Sequence, residues 1–305
     1  MRSDGRLARY AWITLAVNLG VILLGAVVRA TGSGAGCGAN WPTCDGELVP
    51  IGGATETLIE FSHRATSGVA IIMVGVLVVW AVRSRERGDA VRVAAIASGV
   101  LIFNEALIGA MLVLFEWVAE DSSVARAIST SIHLVNTFLL VGALAVTAWW
   151  AQGRPMPTRP WPEPARGRIV RATIALLVVG AMGAITALGD TLFPPESIVS
   201  GIEDDLTGVL LVRLRWIHPV LAIATAVYLL RMAGSLAVTP TASRLATSLH
   251  VIVGVQVLAG FVNVALLAPL WMQLVHLGLA DTLWILFVLL AAESLAAGDR
   301  SRAPA

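Results

Sequence analysis

The sequence predicts an all-α integral membrane protein with eight transmembrane helices, arranged as two tandem, parallel-repeat four-helix bundles. Three observations lead there. Hydrophobic residues make up 57% of the 305 residues and charged residues only 13%, and the mean hydropathy is +0.81. That leaves too little polar surface for a soluble chain of this length. The apolar residues are gathered into eight runs of about 18 residues or more, long enough to cross a hydrocarbon core. A Pro- and Arg-rich stretch, Arg154 to Arg171, divides these runs four and four, and similar short motifs recur on either side of it.

The runs lie near residues 11–31, 62–82, 91–115, 127–150, 169–189, 214–232, 244–267 and 271–293. The first is too long for the apolar part of a cleaved signal peptide and no A-x-A-like site follows it, so it counts as a helix. All 21 basic residues are arginine, and 16 of them fall at the termini and the even-numbered connections. Only Arg29, Arg64, Arg126, Arg213 and Arg215 fall on the other side, where the loops carry acidic runs such as Glu203-Asp204-Asp205. The positive-inside rule then puts both termini in the cytoplasm of a multi-pass protein of the cell membrane. The net charge is +1 and no basic patch stands out, so no nucleic-acid partner is expected.

The division expected is an N-terminal half at 1–153, a cytoplasmic linker at 154–170 and a C-terminal half at 171–305. Helices one and five share Gly25-Ala26 and Gly183-Ala184. Helices two and six each open near a histidine, His63 and His218. Helices three and seven carry Glu105-x-x-x-Gly109 and Gln256-x-x-x-Gly260. Helices four and eight carry His133-Leu134 and His276-Leu277. Both halves start and end inside, so the repeat axis would run along the membrane normal.

This layout puts four of the five histidines on second and fourth helices that run in the same direction, at similar depth below the outer surface. Two imidazoles facing each other across a four-helix bundle suit axial ligation of haem iron. Polar residues near the interface are the bland alternative. Histidine-only zinc is another, but zinc wants three or four ligands converging on one point and each half offers two. His250 has no repeat mate and reads as structural.

Two stretches carry a family resemblance. Gly25 to Cys44 reads GAVVRATGSGAGCGANWPTC, and Ile59 to Arg64 reads IEFSHR, an E-x-x-H-R element. With the His-Leu elements, the eight helices and the duplicated halves, nearly the whole chain resembles the haem A synthase family, in its bacterial type with a cysteine pair in the first outer loop. The resemblance implies an oxidoreductase of cytochrome oxidase maturation. It would oxidise the C8 methyl group of haem O to the formyl group of haem A by successive hydroxylations. It further implies that His63 and His133 bracket the substrate haem O in the N-terminal half, and that His218 and His276 hold a haem b in the C-terminal half. Helix three departs from the family pattern, with Glu105 where Gln is expected.

Other residues follow from their chemistry. Glu60 lies three residues before His63, on nearly the same helix face, where a carboxylate could move protons or steady developing charge. It could equally be a helix-end carboxylate that complements the dipole. Arg64 and Arg29, at the outer rim, are candidates for haem propionates or simple interface anchors. Cys37 and Cys44 are the only cysteines, and outside the cytoplasm they are expected to be disulfide-bonded. The bond would be a loop staple or a redox-active dithiol. No dinucleotide fingerprint is present, so electrons would come from a separate membrane donor. Haem O synthase and oxidase assembly factors are the implied partners, and a homo-oligomer is compatible with the sequence. Two other functions fit less well: a di-haem b-type electron carrier and a haem transporter or chaperone.

Overall fold

The computed structural model describes residues 4–157, 163 and 165–300. It is all helical, with no strand among the described residues beyond an isolated bridge between Cys44 and Glu47. The helices are α1 (Gly5–Ala30), α2 (Thr55–Ser84), α3 (Ala90–Leu114), α4 (Val124–Ala151), α5 (Ala165–Leu192), α6 (Ile198–Thr207), α7 (Leu210–Arg213), α8 (Ile217–Leu236), α9 (Pro240–Ala265) and α10 (Leu270–Arg300). A single 3-10 turn, Ser33–Ala35, follows α1.

Eight of these segments are long and apolar enough to cross a membrane, with α7 and α8 together forming one. They run 25 to 30 residues, about 38–45 Å at 1.5 Å per residue. That exceeds a hydrocarbon core of about 30 Å, so the helix ends reach into the headgroup layer. This is why most run past the expected apolar stretches. Local chemistry sets several starts. Asp4 accepts a hydrogen bond from the Leu7 N–H, Asp89 from Val91, Ser123 from Arg126 and Thr239 from Ala242. Each satisfies one of the open N–H groups of a first turn.

Two features differ from the sequence expectation. Two short helices, α6 and α7, lie between α5 and α8, and the sixth span breaks between Arg213 and Ile217. Pro219 explains the restart: it has no N–H to bond back to residue 215, and it is tolerated only in the first turn of α8. The linker is also shorter than expected, because α5 begins at Ala165 and draws Arg166 and Arg168, good helix formers, into its first turn. Linker residues 158–162 and 164, and the termini at 1–3 and 301–305, lie outside the described residues.

Helices α1, α4, α5 and α10 form the centre, with α2, α3, α8 and α9 around them. Helix α4 touches α1, α3, α5 and α10. Over half of its span, 56%, is buried, against 17% for α3. Close approach needs small residues. A side chain at Gly180 of α5 would sit 2.6 Å from the Phe138 ring of α4, and one at Gly142 of α4 would sit 3.1 Å from Trp284 Nε1 of α10. Trp284 donates from Nε1 to the Phe138 carbonyl at 2.5 Å, and the two rings stack at 5.7 Å. The outer helices turn large apolar side chains outward: Ile72, Phe103, Leu258 and Phe261 are all more than half exposed. Such faces suit lipid.

Candidate functional site

The four paired histidines lie six to nine residues inside their spans, all at the same end of the bundle. That is a depth of about 9–14 Å. Three of them rest on a glycine of a neighbouring helix. A side chain at Gly25 of α1 would come within 2.9 Å of His63 Cε1. At Gly183 of α5 it would come within 3.1 Å of His218 Cε1, and at Gly260 of α9 within 3.3 Å of His276 Cε1. His133 is the exception, because nothing lies within 4 Å of a side chain built at Gly109 of α3.

The backbone sets the state of one ring directly. His218 Nδ1 lies 3.2 Å from the Val179 carbonyl, one turn before Gly183. A carbonyl only accepts, so Nδ1 carries the proton and Nε2 keeps a lone pair. The counterpart of Val179 in the first half is Val21, one turn before Gly25. His63 Nδ1 has no hydrogen bond of ordinary geometry. The rings of His218 and His276 lie 6.4 Å apart, edge to face at 83°. The Gln256 amide nitrogen lies 3.2 Å from His276 Nε2, while His276 Nδ1 and Gln256 Oε1 are buried without partners among the described residues.

Beside His63 stands a clamp. Glu60 is buried and accepts from the Cys37 backbone N–H at 2.8 Å. It also accepts from Arg64 Nε at 3.0 Å and Nη2 at 2.5 Å. Arg64 Nη1 reaches the carbonyls of Asn40 and Thr43 at 2.6 and 2.7 Å. Cys37 and Cys44 are joined in a disulfide. Glu60, one turn before His63, and Arg64, the residue after it, therefore tie the disulfide loop to α2. Arg29 is likewise engaged by protein. It donates to the Ala187 carbonyl at 2.5 Å, Thr191 Oγ1 at 2.6 Å and Gln273 Oε1 at 2.8 Å. It thus joins α1 to α5 and α10. The sequence offers both arginines as propionate candidates or interface anchors; in this structure both make contacts to protein groups.

The equivalent of Glu60 in the second half, three residues before His218, is Arg215. It is also buried, 3.1 Å from Asp190 Oδ1 and 3.3 Å from the Phe193 carbonyl. The residue three before the second-helix histidine therefore changes sign between the halves, each paired with an opposite charge, Arg64 in the first and Asp190 in the second. His250 bridges α9 to α8, its ring nitrogens 2.7 Å from the Ala246 carbonyl and 2.9 Å from the Leu230 carbonyl. Sequence reasoning missed Arg215 as a site neighbour, the polar pair Asn136-Thr137, and Asp281, whose two oxygens are buried without partners among the described residues. A charged or amide residue inside an apolar run, one turn from a histidine, was the available signal for the first two. No cluster of three or more His, Cys, Asp or Glu converges among the described residues, so the histidines stand as pairs.

Comparison with known proteins adds the following. Residues 8–288 match the family described as cytochrome oxidase assembly protein, COX15-CtaA. Two proteins of Thermus thermophilus strains, each called protoheme IX farnesyltransferase, are 48% identical over 301 residues, covering 97% of this chain and 49% of theirs. The chain thus spans about half the length of these curated relatives. A heme A synthase of Alkalihalophilus pseudofirmus is 43% identical over 110 residues, covering 36% of this chain and 37% of its own. One of Halalkalibacterium halodurans is 37% identical over 137 residues, covering 45% and 44%.

Proposed function

The chain belongs to the COX15-CtaA family of cytochrome oxidase assembly proteins, and from that premise we propose that it is a haem A synthase. It would oxidise the C8 methyl group of haem O to a formyl group by successive hydroxylations. One observation carries the reading: four histidines at one depth, two in each half, with a buried carboxylate one turn before His63 and a buried guanidinium one turn before His218.

The residues fit a haem in the second half. Metal–imidazole bonds of about 2 Å would set two ligating nitrogens about 4 Å apart and their ring centroids about 6 Å apart, close to the 6.4 Å between His218 and His276. His218 already presents a free Nε2 lone pair, and Gly183 and Gly260 leave room at the two rings. At His276 the Gln256 amide would have to withdraw from Nε2. A haem b held there would supply one-electron chemistry at its iron.

In the first half, His63 and His133 would hold the substrate haem O. Glu60 would hold or move a proton near the reacting carbon, and its bond to the Cys37 N–H would keep the disulfide loop seated over the outer end of α2. In this account Arg64 and Arg29 act as structural anchors, Arg64 fixing the loop and Arg29 fixing α1 against α5 and α10. The arginine distribution supports an orientation with both termini cytoplasmic and the histidine end outward, in the cell membrane. Electrons would come from a membrane donor, and haem O from a haem O synthase.

A second reading has one observation behind it, the farnesyltransferase name of the Thermus relatives. This chain aligns with only half of those proteins, and the named transfer would reside in their other half. A single experiment separates the readings. The chain is expressed in cells with and without a haem O synthase, and the haems are extracted and chromatographed. Haem A formed only when haem O is supplied is the expected result. Haem O made by this chain from protohaem alone would establish the prenyl transfer, and an unchanged haem pool would return the electron-carrier reading.

A further inference from the structure

The two halves also differ at the residue facing the fourth-helix histidine. In the second half this is Gln256 of α9, whose Oε1 is buried with no partner among the described residues. In the first half it is Glu105 of α3, which is held on both oxygens. Asn136 Nδ2 donates to Oε2 and Thr137 Oγ1 to Oε1, and Asn136 also donates to the Leu101 carbonyl at 2.9 Å. Asn136 and Thr137 lie three and four residues after His133, on the turn of α4 that follows it. The residues at the same offsets from His276 are Leu279 and Ala280, which offer no side-chain donor. Carboxylate and holding pair thus occur together in one half and are absent together from the other.

Glu105 Oε1 lies 3.4 Å from His133 Nδ1. The ring N–H is not aligned along this contact, and no formal hydrogen bond forms. The carboxylate is held by the Asn136 amide and by the Thr137 hydroxyl, whose single proton is shared with the His133 carbonyl at 2.9 Å; the His133 ring, unlike the other three, does not rest on the glycine of the neighbouring helix. Two accepted hydrogen bonds favour an acceptor-only carboxylate, and an acceptor beside Nδ1 selects the tautomer with its proton there. A carboxylate behind a metal-binding imidazole fixes ring orientation and raises the basicity of the other nitrogen.

We propose that Glu105, held by Asn136 and Thr137, is a positioning residue that sets His133 in the Nδ1–H form with Nε2 left to bind iron. It makes His133 the more electron-rich fourth-helix ligand of the two halves. The proposal rests on the haem reading above for its consequence and on the protein alone for the tautomer. The consequence is that a haem in the first half has a lower reduction potential than the same ligand pair would give with a neutral amide behind His133, because negative charge near the ligand stabilises the ferric state.

The test uses the full chain labelled with ¹⁵N-histidine, as wild type, Glu105→Gln, Glu105→Asp and Thr137→Val. The histidine ¹⁵N spectrum of protein purified without added haem reads the tautomer, and redox titration of haem-loaded protein reads the two potentials. Wild type is expected to show His133 with Nδ1 protonated. Glu105→Gln should lose that preference and raise the potential of the first-half haem only, with Glu105→Asp restoring part of both. Thr137→Val frees one carboxylate oxygen and should shift both readouts the same way by less; it serves if Glu105→Gln does not fold. A His133 spectrum unchanged in Glu105→Gln overturns the proposal, as does an equal shift of both haems. If the first half takes up no haem in any variant, the haem reading fails, and the tautomer spectrum alone decides the role of Glu105.

Discussion

Gly25→Ala is the sharpest probe of the seat under His63. The added carbon would lie 2.9 Å from His63 Cε1, 3.4 Å from Nε2 and 3.6 Å from Nδ1. Carbon atoms prefer separations of about 3.5–4.0 Å, so the ring must retreat by roughly 0.6 Å. A metal site tolerates ligand errors of about 0.2 Å, so iron at this position should lose one well-placed ligand. The fold itself has less at stake. Alanine is better than glycine inside a helix by about 1 kcal/mol, offsetting part of an overpacking cost of about 1–3 kcal/mol. The expected result is a protein of near-normal thermal stability whose first-half haem affinity falls about 10- to 100-fold, or about 1.4–2.7 kcal/mol. Haem titration of purified protein with the second-half site already filled measures it. Gly109→Ala is the control, since its added carbon meets nothing within 4 Å. Equal affinity in the Gly25 variant and the control would refute the seat.

Three further outcomes are expected. Glu60→Gln leaves Arg64, whose side chain is only 11% exposed, without its anion; thermal unfolding in detergent should show a loss of about 3 kcal/mol, and haem A from the protein that stays folded should drop about 100-fold or more. An unchanged melt would remove the clamp, and normal haem A would remove Glu60 from the chemistry. His218→Ala or His276→Ala should each abolish the low-spin haem spectrum of protein expressed without haem O; retention of that spectrum in both would sink the pairing. A cysteine introduced at Ile51, which is 93% exposed in the loop that holds Cys37 and Cys44, should react with a membrane-impermeant thiol reagent in intact cells, whereas labelling only in broken cells would invert the orientation.

The helices were legible because lipid demands long apolar runs, and that signal survives without any knowledge of packing. The helix ends were less so, since capping by Asp4, Asp89, Ser123 and Thr239 extends helices through residues that hydropathy alone leaves outside. The short helices α6 and α7 escaped because they are too brief for a span and depend on one capping box and one proline. At the site, the common depth of the four histidines and the cysteine pair were readable from recurrence and spacing. The partners of Arg29 were not: Ala187, Thr191 and Gln273 are 158, 162 and 244 residues away in sequence, and no local pattern reports such contacts. Glu105 was visible only as a departure from the family pattern and from its mate Gln256. Its meaning came from Asn136 and Thr137 arriving from another helix.

The enclosure of α4 has a bearing on assembly. The helix that carries His133 is also a wall for α5 and α10, bonded to them through Ser131 and Trp284. A chain severed between 157 and 165 would leave an N-terminal fragment with one side of α4 stripped of its neighbours, and a C-terminal fragment whose Trp284 has lost the Phe138 carbonyl. Neither piece is a self-sufficient module. Co-produced fragments would have to find each other in the bilayer before either could be well formed, so the covalent tether raises the local concentration of one half around the other.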